Sequence, residues 1–393
     1  MKWEHAGQEF ESEYSKIVDK YTSKNLYIYG AGMVGQRIAK SVSRFSDMSV
    51  KGFIDKDESK VTCDGLPVFH WDAISDILSQ KANMIVIGLS DQMGDNVRKT
   101  IVGKMNMEND RCISYQQFVM HEFPILLFYK YNKVFLDTIS MIVTEKCTLR
   151  CKNCAIMLPY LKVTEDASLV QLKEEADQLF EWADFIGNFT ITGGEPLLRR
   201  DLCELIAYIG TRYRDRIGSF KIITNGMIKP SDSLLFVMKK YDVAVEVSDY
   251  TIAVPKIKQR VLNHVSLYQK SGINTYFLNS GKWVDFGFEN VENSYSDNQA
   301  IRFFGYCHTR CRGYVSGKLL YCINAYFAAK ALDKEDDGNN VFDIKHLPMN
   351  DENRAKLIEF DQGYSKQGYL NMCQHCNGTV EINRHYIEAG EQL

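Results

Sequence analysis

Residues 138–154 read TISMIVTEKCTLRCKNC, and this stretch carries most of the information about the fold. The apolar run ISMIV predicts a buried strand. Three cysteines follow it at the spacing C-x3-C-x2-C, namely Cys147, Cys151 and Cys154. Three thiolates can hold a [4Fe-4S] cluster and leave one iron without a protein ligand, so that a small molecule can chelate it. A zinc site with a distant fourth ligand is the alternative for the same thiols.

A glycine turn follows the next predicted strand, in FTITGGEPLL at residues 189–198. Gly193 and Gly194 lack a Cβ, so the backbone can approach a ligand closely, and Glu195 and Pro196 complete the turn. Taken alone, GGEP is also an ordinary turn with a solvated glutamate. Its position, one strand-helix repeat after the cysteines, favours a binding role. Less specific candidates for the binding site lie at the ends of later strands: Thr224, Asn225, Gly226, Ser248 and Asp249.

The cysteine spacing after a first barrel strand, together with GGEP, resembles the radical S-adenosylmethionine (SAM) family. The resemblance implies that Cys147, Cys151 and Cys154 hold the cluster and that SAM binds the open iron through its methionine amine and carboxylate. Electron transfer into SAM then yields a 5'-deoxyadenosyl radical, which abstracts hydrogen from a substrate. A flavodoxin- or ferredoxin-type protein is the implied electron donor.

The same resemblance assigns roles to the strand-end residues. Residues 193–196 would grip the methionine amino group, and Ser248 would contact the ribose or the carboxylate. Asn225 is a further candidate for cofactor binding, although an ordinary strand-end turn explains both later positions as well. The sequence departs from the family pattern at Asn153, where an aromatic residue near the adenine is common.

Five more cysteines lie towards the C-terminal end: Cys307, Cys311, Cys322, Cys373 and Cys376. The predicted hairpin RGYVSGKLLYC and the pair in MCQHCNG resemble the Twitch domain, the one-cluster relative of the SPASM domain. That resemblance implies an auxiliary [4Fe-4S] cluster with four thiolate ligands. Cys311 and Cys322 would bracket the two strands of the hairpin, but Cys307 also satisfies the family's cysteine-to-glycine spacing. The sequence therefore leaves open whether Cys307 or Cys311 is the ligand. A zinc ribbon is the alternative.

The spare thiol suggests a second role. In epimerising relatives a cysteine donates a hydrogen atom to the substrate radical, and we assign this catalytic role to Cys307. Dehydrogenating relatives instead pass the radical's electron to the auxiliary cluster.

A second glycine motif lies near the N-terminus, in IYGAGMVGQRIAK, where Gly30, Gly32 and Gly35 form G-x-G-x-x-G between a predicted strand and a helix. Asp55 ends the next strand. Such glycines admit a pyrophosphate at the helix N-terminus, and the acid accepts from ribose hydroxyls. The stretch resembles the Rossmann-like domains of nucleotide-sugar and surface-polysaccharide enzymes. Three alternatives remain for this domain: it binds NAD, it binds a nucleotide sugar, or it is a degenerate docking domain without a ligand.

Strands and helices alternate along the chain, which predicts an α/β fold with parallel sheets. We expect a Rossmann-like parallel sheet at residues 23–120 and a partial (β/α)6 TIM-like barrel at residues 138–300. A small cluster-binding Twitch- or SPASM-like domain with a β-hairpin is expected at residues 301–393. The barrel strands are predicted in TISMIVT, FIGNFTIT, SFKIIT, VAVEVS and NTYFL, with chemistry at their carboxyl ends. GLPVFHWDAISDIL is predicted as a turn leading into a helix.

The whole-chain composition excludes several classes of partner. The 393 residues include 47 basic and 50 acidic side chains, and this balance indicates neither nucleic-acid binding nor attraction to a membrane surface. No signal peptide and no apolar stretch of about 18 residues is present, so we expect no membrane insertion and a cytoplasmic location. In a reducing cytosol, grouped cysteines among the 11 favour metal ligation over disulfides.

Together, the resemblances to the radical SAM family and to its Twitch-bearing relatives imply a radical SAM oxidoreductase or epimerase. We expect it to abstract hydrogen from a sugar carbon and so dehydrogenate or epimerise a small-molecule carbohydrate, free or nucleotide-linked, in polysaccharide or glycan biosynthesis. One alternative is a peptide-modifying radical SAM maturase, although such enzymes usually begin with a winged-helix domain. The other is a non-catalytic regulator that binds metal and nucleotide.

Overall fold

The computed structural model describes residues 11–89, 91–105, 109–162, 164, 166–279, 281–288, 294–307, 312–334, 337–379, 383 and 385–393. The chain divides into two compact units, at residues 8–137 and 138–393. The second unit contains both the predicted barrel and the predicted cluster domain, so their separation at residue 300 stays a prediction.

The first unit is built on a six-stranded sheet. Its strands are β1 (Asn25–Tyr29), β2 (Ser49–Asp55), β3 (Thr62–Cys63), β4 (Leu66–His70), β5 (Asn83–Ile87) and β6 (Cys112–Ile113). The spatial order is β3-β4-β2-β1-β5-β6, and all neighbours are parallel except β3 and β4. The central strands carry fully buried apolar side chains such as Ile28, Ile54 and Ile85, which form the core of this unit.

The helices described in this unit are α1 (Glu11–Tyr21), α2 (Met33–Phe45), α3 (Ile74–Ser79), α4 (Asp91–Met105), α5 (Tyr115–Gln117) and α6 (Phe123–Tyr131), of which α2, α3 and α4 connect strands of the sheet. One expectation was wrong, because residues 66–70 form β4 rather than part of a turn. Pro67 precedes the residues that pair with β2, so its missing N–H costs no hydrogen bond in that ladder.

The second unit contains a larger sheet and a two-stranded one. The strands are β7 (Phe135–Ile142), β8 (Phe185–Thr192), β9 (Ile217–Thr224), β10 (Val243–Asp249), β11 (Thr275–Asn279), β12 (Lys282–Val284), β13 (Gly313–Val315), β14 (Lys318–Leu320), β15 (Val341–Asp343) and β16 (Tyr386–Glu388). Eight of them form the order β11-β10-β9-β8-β7-β13-β14-β15, and β12 pairs with β16. The contacts β8–β9, β9–β10 and β10–β11 are parallel. The mixed α/β fold with parallel sheets is therefore confirmed.

The helices of the second unit are α7 (Leu169–Trp182), α8 (Leu202–Tyr213), α9 (Asp232–Lys240), α10 (Lys258–Lys270), α11 (Asp297–Tyr306), α12 (Ile323–Ala331) and α13 (Asp351–Gln362). One helix follows each of β7, β8, β9 and β10 before the next strand begins. Parallel neighbours point the same way, so β8 to β11 bring their carboxyl ends to one edge of the sheet. The predicted hairpin is confirmed as β13 and β14, with Gly317 at φ +77° in its turn. No helix in the part of the chain described here is long and apolar enough to cross a bilayer.

Candidate functional site

The cysteine loop leaves the end of β7 and runs beside the glycine turn that ends β8. Val143 N–H donates to the Thr192 carbonyl at 2.9 Å, Gly194 N–H to Thr144 at 2.8 Å, and Glu195 N–H to Lys146 at 2.8 Å. These backbone hydrogen bonds tie the two sequence motifs together.

Glycine is required at both positions of this turn. Gly193 has φ +153°, and a Cβ there would lie 2.3 Å from the Thr144 carbonyl oxygen. A Cβ at Gly194 would lie 2.2 Å from the Lys146 oxygen. Both distances are far below van der Waals contact, so any larger residue would push the cysteine loop away.

The two motifs share one cavity of about 330 Å³, a volume within the usual range for small-molecule sites. The predicted site residues in its wall are Cys147, Cys151, Cys154, Gly193, Gly194, Thr224, Asn225 and Ser248. The sequence analysis missed other wall residues, notably Tyr250, Trp283 and Asn324. The Tyr250 and Trp283 rings meet edge to face with centroids 5.5 Å apart. No motif marks these residues, because they come from three separate places: the residue after β10, the strand β12 and the helix α12.

The three thiols lie close enough to influence one another electrostatically. Burial is the main cause that raises the pKa of Cys151 to about 11, and the thiols of Cys154 and Cys147 act in the same direction. Burial also raises the pKa of Cys147 and of Cys154. Thiols of this kind stay protonated alone and lose their protons to a bound metal centre.

The donor set fits a [4Fe-4S] cluster. Within the described ranges, no three His, Cys, Asp or Glu side chains converge tightly enough to hold one metal ion. A four-iron cluster does not need that convergence, because each thiolate binds a different iron. Three soft ligands in one cavity beside a close backbone approach thus match a cluster.

Glu195 does not belong to the described cavity wall. Its fully buried carboxylate accepts hydrogen bonds from the Thr224 hydroxyl at 2.8 Å, Asn225 N–H at 2.8 Å and Leu197 N–H at 3.0 Å. Burial raises its pKa, whereas these donors oppose the rise. Glu195 therefore joins the end of β8 to the end of β9 and holds Asn225 at the cavity. Pro196 begins the short 3-10 turn that follows and does not line the cavity either.

Residues 141–269 match the family model described as Radical SAM superfamily. The chain contains a radical SAM domain. The GTP 3',8-cyclase of Erythrobacter litoralis is 33% identical over 92 residues, which cover 23% of this chain and 27% of that protein. The GTP 3',8-cyclase of Listeria welshimeri is 36% identical over 96 residues, with coverages of 23% and 27%. The chain thus spans about a quarter of the length of these curated relatives.

A solved structure, BtrN in complex with AdoMet and 2-DOIA, aligns with a TM-score of 0.38 and 17% identity. The alignment covers 65% of this chain and all of BtrN.

Beyond the radical SAM domain, three described cysteines towards the C-terminal end act electrostatically on a fourth, Cys373. Burial raises the pKa of Cys373 well above its usual value, and the thiols of Cys376, Cys307 and Cys322 reinforce the rise. The partly buried Cys322, Cys373 and Cys376 pack against an apolar cluster that includes Phe304 and Met372. Cys311 lies outside the described residues.

The glycine motif of the first unit forms a tight turn between β1 and α2. Gly30 has φ +102°, and a Cβ at Gly35 would lie 1.9 Å from the Gly30 oxygen. Gly32 precedes the first residue of α2. Asp55 accepts from Ala31 N–H at 2.9 Å and pairs with Lys60 at 2.9 Å. Although burial opposes the change, hydrogen bonds from Asp57 N–H, Lys60 and Ala31 N–H lower the pKa of Asp55.

Proposed function

We propose that this protein is a radical SAM enzyme that abstracts hydrogen from a sugar carbon and thereby dehydrogenates or epimerises a free or nucleotide-linked carbohydrate. The observation that supports the radical SAM chemistry is the shared cavity. Three thiols from one loop, two glycines from the next strand end and polar groups from two further strand ends line it together.

The residues of the cavity suggest a division of labour. Cys147, Cys151 and Cys154 would hold the cluster, and the backbone at Gly193 and Gly194 would receive the methionine end of SAM. The Ser248 hydroxyl would bind ribose or carboxylate oxygens. When bound, the cluster and SAM supply a 5'-deoxyadenosyl radical that takes a hydrogen atom from the substrate. The rings of Tyr250 and Trp283 would keep water from that radical.

We propose a second, auxiliary [4Fe-4S] cluster in a Twitch-like region with Cys307, Cys322, Cys373 and Cys376 as ligands. Support comes from the influence of the Cys307, Cys322 and Cys376 thiols on Cys373, and from the packing of Cys322, Cys373 and Cys376 against one apolar cluster. A thiolate bound to iron has no hydrogen atom to donate. Epimerisation would therefore need a donor other than Cys307, whereas dehydrogenation could use the auxiliary cluster as electron acceptor.

The first unit is proposed to be a Rossmann-like domain that binds NAD or the nucleotide of an activated sugar. Without β3, its strand order β4-β2-β1-β5-β6 is the 3-2-1-4-5 order of doubly wound dinucleotide-binding sheets. The close approach at Gly30 and Gly35 would admit a pyrophosphate at the start of α2. To bind a ribose, Asp55 would keep its Ala31 contact and give up Lys60. This pairing of domains motivates the choice of a nucleotide-linked sugar.

The test begins with the full chain, purified and reconstituted without oxygen. Iron and sulfide are measured first, followed by 5'-deoxyadenosine after addition of SAM, dithionite and a panel of nucleotide sugars. GTP joins the panel because the relatives above are named GTP 3',8-cyclase. Cys147→Ala is the inactive control, and Cys203→Ala is the matched cysteine substitution.

The expected result is 5'-deoxyadenosine with at least one nucleotide sugar, and deuterium transfer from that sugar into the product. If 5'-deoxyadenosine forms only with a peptide partner, the sugar proposal is wrong and the protein is a peptide-modifying maturase. A chain that binds zinc without iron, and forms no 5'-deoxyadenosine, would instead be a regulator. A flavodoxin- or ferredoxin-type protein should support the same reaction when it takes the place of dithionite as electron donor.

A further inference from the structure

The last residues of the sequence run along the cysteine loop. Lys152 N–H donates to the Glu391 carbonyl at 2.7 Å, and Leu393 N–H donates to Arg150 at 2.9 Å. Between these bonds, Cys151 and Gln392 form an antiparallel bridge. Residues 391–393 therefore act as a short strand paired with residues 150–152, which contain the central cysteine of the motif.

The Gln392 carboxamide is oriented by contacts at both ends. Its Oε1 accepts from Arg150 N–H at 2.8 Å, so the Nε2 end must face the other way. Nε2 donates to the Gly390 carbonyl at 2.6 Å and lies 3.3 Å from Cys151 Sγ. An amide has two N–H groups, so both contacts can be made at once.

We propose that Gln392 is a positioning residue that sets the reduction potential of the radical SAM cluster through an N–H···S hydrogen bond to Cys151. The inference rests on the proposed cluster and goes beyond it. Reduction adds negative charge to the cluster and its thiolates, and a donor aimed at a thiolate stabilises that charge. The hydrogen bond therefore makes the cluster easier to reduce, which is the step that precedes SAM cleavage.

A comparison with Asn225 shows why Gln392 is the stronger candidate. Asn225 Nδ2 lies 3.6 Å from Cys147 Sγ and has a shorter contact, 3.0 Å, to the Thr148 hydroxyl. The Gln392 contact to sulfur is shorter and belongs to a side chain whose other end is anchored by backbone. The strand pairing also fixes Cys151 itself.

The test uses the reconstituted full chain and three variants. Gln392→Leu removes the donor without adding charge, Gln392→Glu replaces it with a carboxylate of similar shape that also adds a negative charge, and Glu391→Gln is the control. The Glu391 backbone, rather than its side chain, makes the ladder contact. The readout is the midpoint potential from an EPR-monitored redox titration, followed on the signal that changes when SAM is added. Only a cluster with an open iron can give that change.

Both Gln392 variants should retain iron and show about a tenfold lower ratio of reduced to oxidised cluster at a fixed potential. For a one-electron couple, a tenfold change in this ratio corresponds to a midpoint potential of the cluster about 59 mV more negative. Glu391→Gln should match the parent protein. An unchanged midpoint in the uncharged Gln392→Leu would overturn the inference.

Other outcomes separate this inference from the proposed function. If both Gln392 variants lose iron while Glu391→Gln keeps it, the residue has a structural role and the tuning role is refuted. If the parent protein itself holds no SAM-responsive cluster, the proposed function fails, and this inference fails with it.

Discussion

Glu175 gives the structure's clearest prediction about pH and stability. This residue lies on α7, and its backbone carbonyl accepts from the Tyr314 hydroxyl at 2.9 Å. Burial raises the pKa of its carboxyl from 4.5 to about 7, although Ser316 N–H and Lys345 oppose the rise. The native protein thus binds this proton more tightly than the unfolded chain does.

The sign and size of the effect follow from that difference. Stability from the protonated carboxyl is fully present below pH 4.5 and is lost as the pH rises through about 7. The difference between the two pKa values corresponds to about 3 kcal/mol in the free energy of unfolding. Gln is neutral at every pH and similar in shape. Glu175→Gln should therefore be close to the parent protein at pH 4.5 and more stable by up to about 3 kcal/mol at pH 8.

Urea unfolding at pH 4.5, 6 and 8, followed by circular dichroism, measures this free energy. Glu181→Gln is the matched control, because it removes an exposed carboxylate from the same helix. The reasoning is refuted if the stability difference between Glu175→Gln and the parent protein is the same at pH 4.5 and pH 8.

Three further predictions concern the proposed sites and the core. Gly194→Ala should abolish iron loading because its Cβ would lie 2.2 Å from the Lys146 oxygen, whereas Gly338→Ala, with open space around it, should load normally. Asp55→Ala should weaken binding of NAD or a nucleotide sugar at least tenfold by calorimetry, with an unchanged circular dichroism spectrum; equal affinity would contradict the proposed ribose contact. Arg312→Lys should lower the free energy of unfolding by about 3 kcal/mol, because the buried guanidinium and its paired contacts would be lost. Thermal unfolding measures this change.

Much of the fold could be predicted because its signals are local. The five strands predicted between residues 138 and 278 all form, and so does the hairpin at Gly317. Runs of apolar residues and glycine turns act over a few residues, so they can be recognised without knowing their neighbours. The strand β4 was missed because Gly65 before it and Pro67 within it look like a turn, and the pairing with β2 shows otherwise.

The candidate site was predicted only in part. The motif cysteines and the two glycines do share a cavity, but Glu195 faces Thr224 and Asn225 instead. The motif specified which residue occupies the turn, and the packing of β8 against β9 decided where its carboxylate points. The influence of Cys307 on Cys373 was likewise open in the sequence.

By itself, the sequence determined the α/β alternation, the spacing of the cluster thiols and the glycines that allow close backbone approach. Tertiary structure alone decided which distant groups surround those thiols. Gln392 meets Cys151 across 241 residues of chain, and no periodicity or spacing encodes that contact. The physical reason is that short-range patterns report backbone conformation, whereas a site's electrostatics depend on side chains that folding brings together from remote segments.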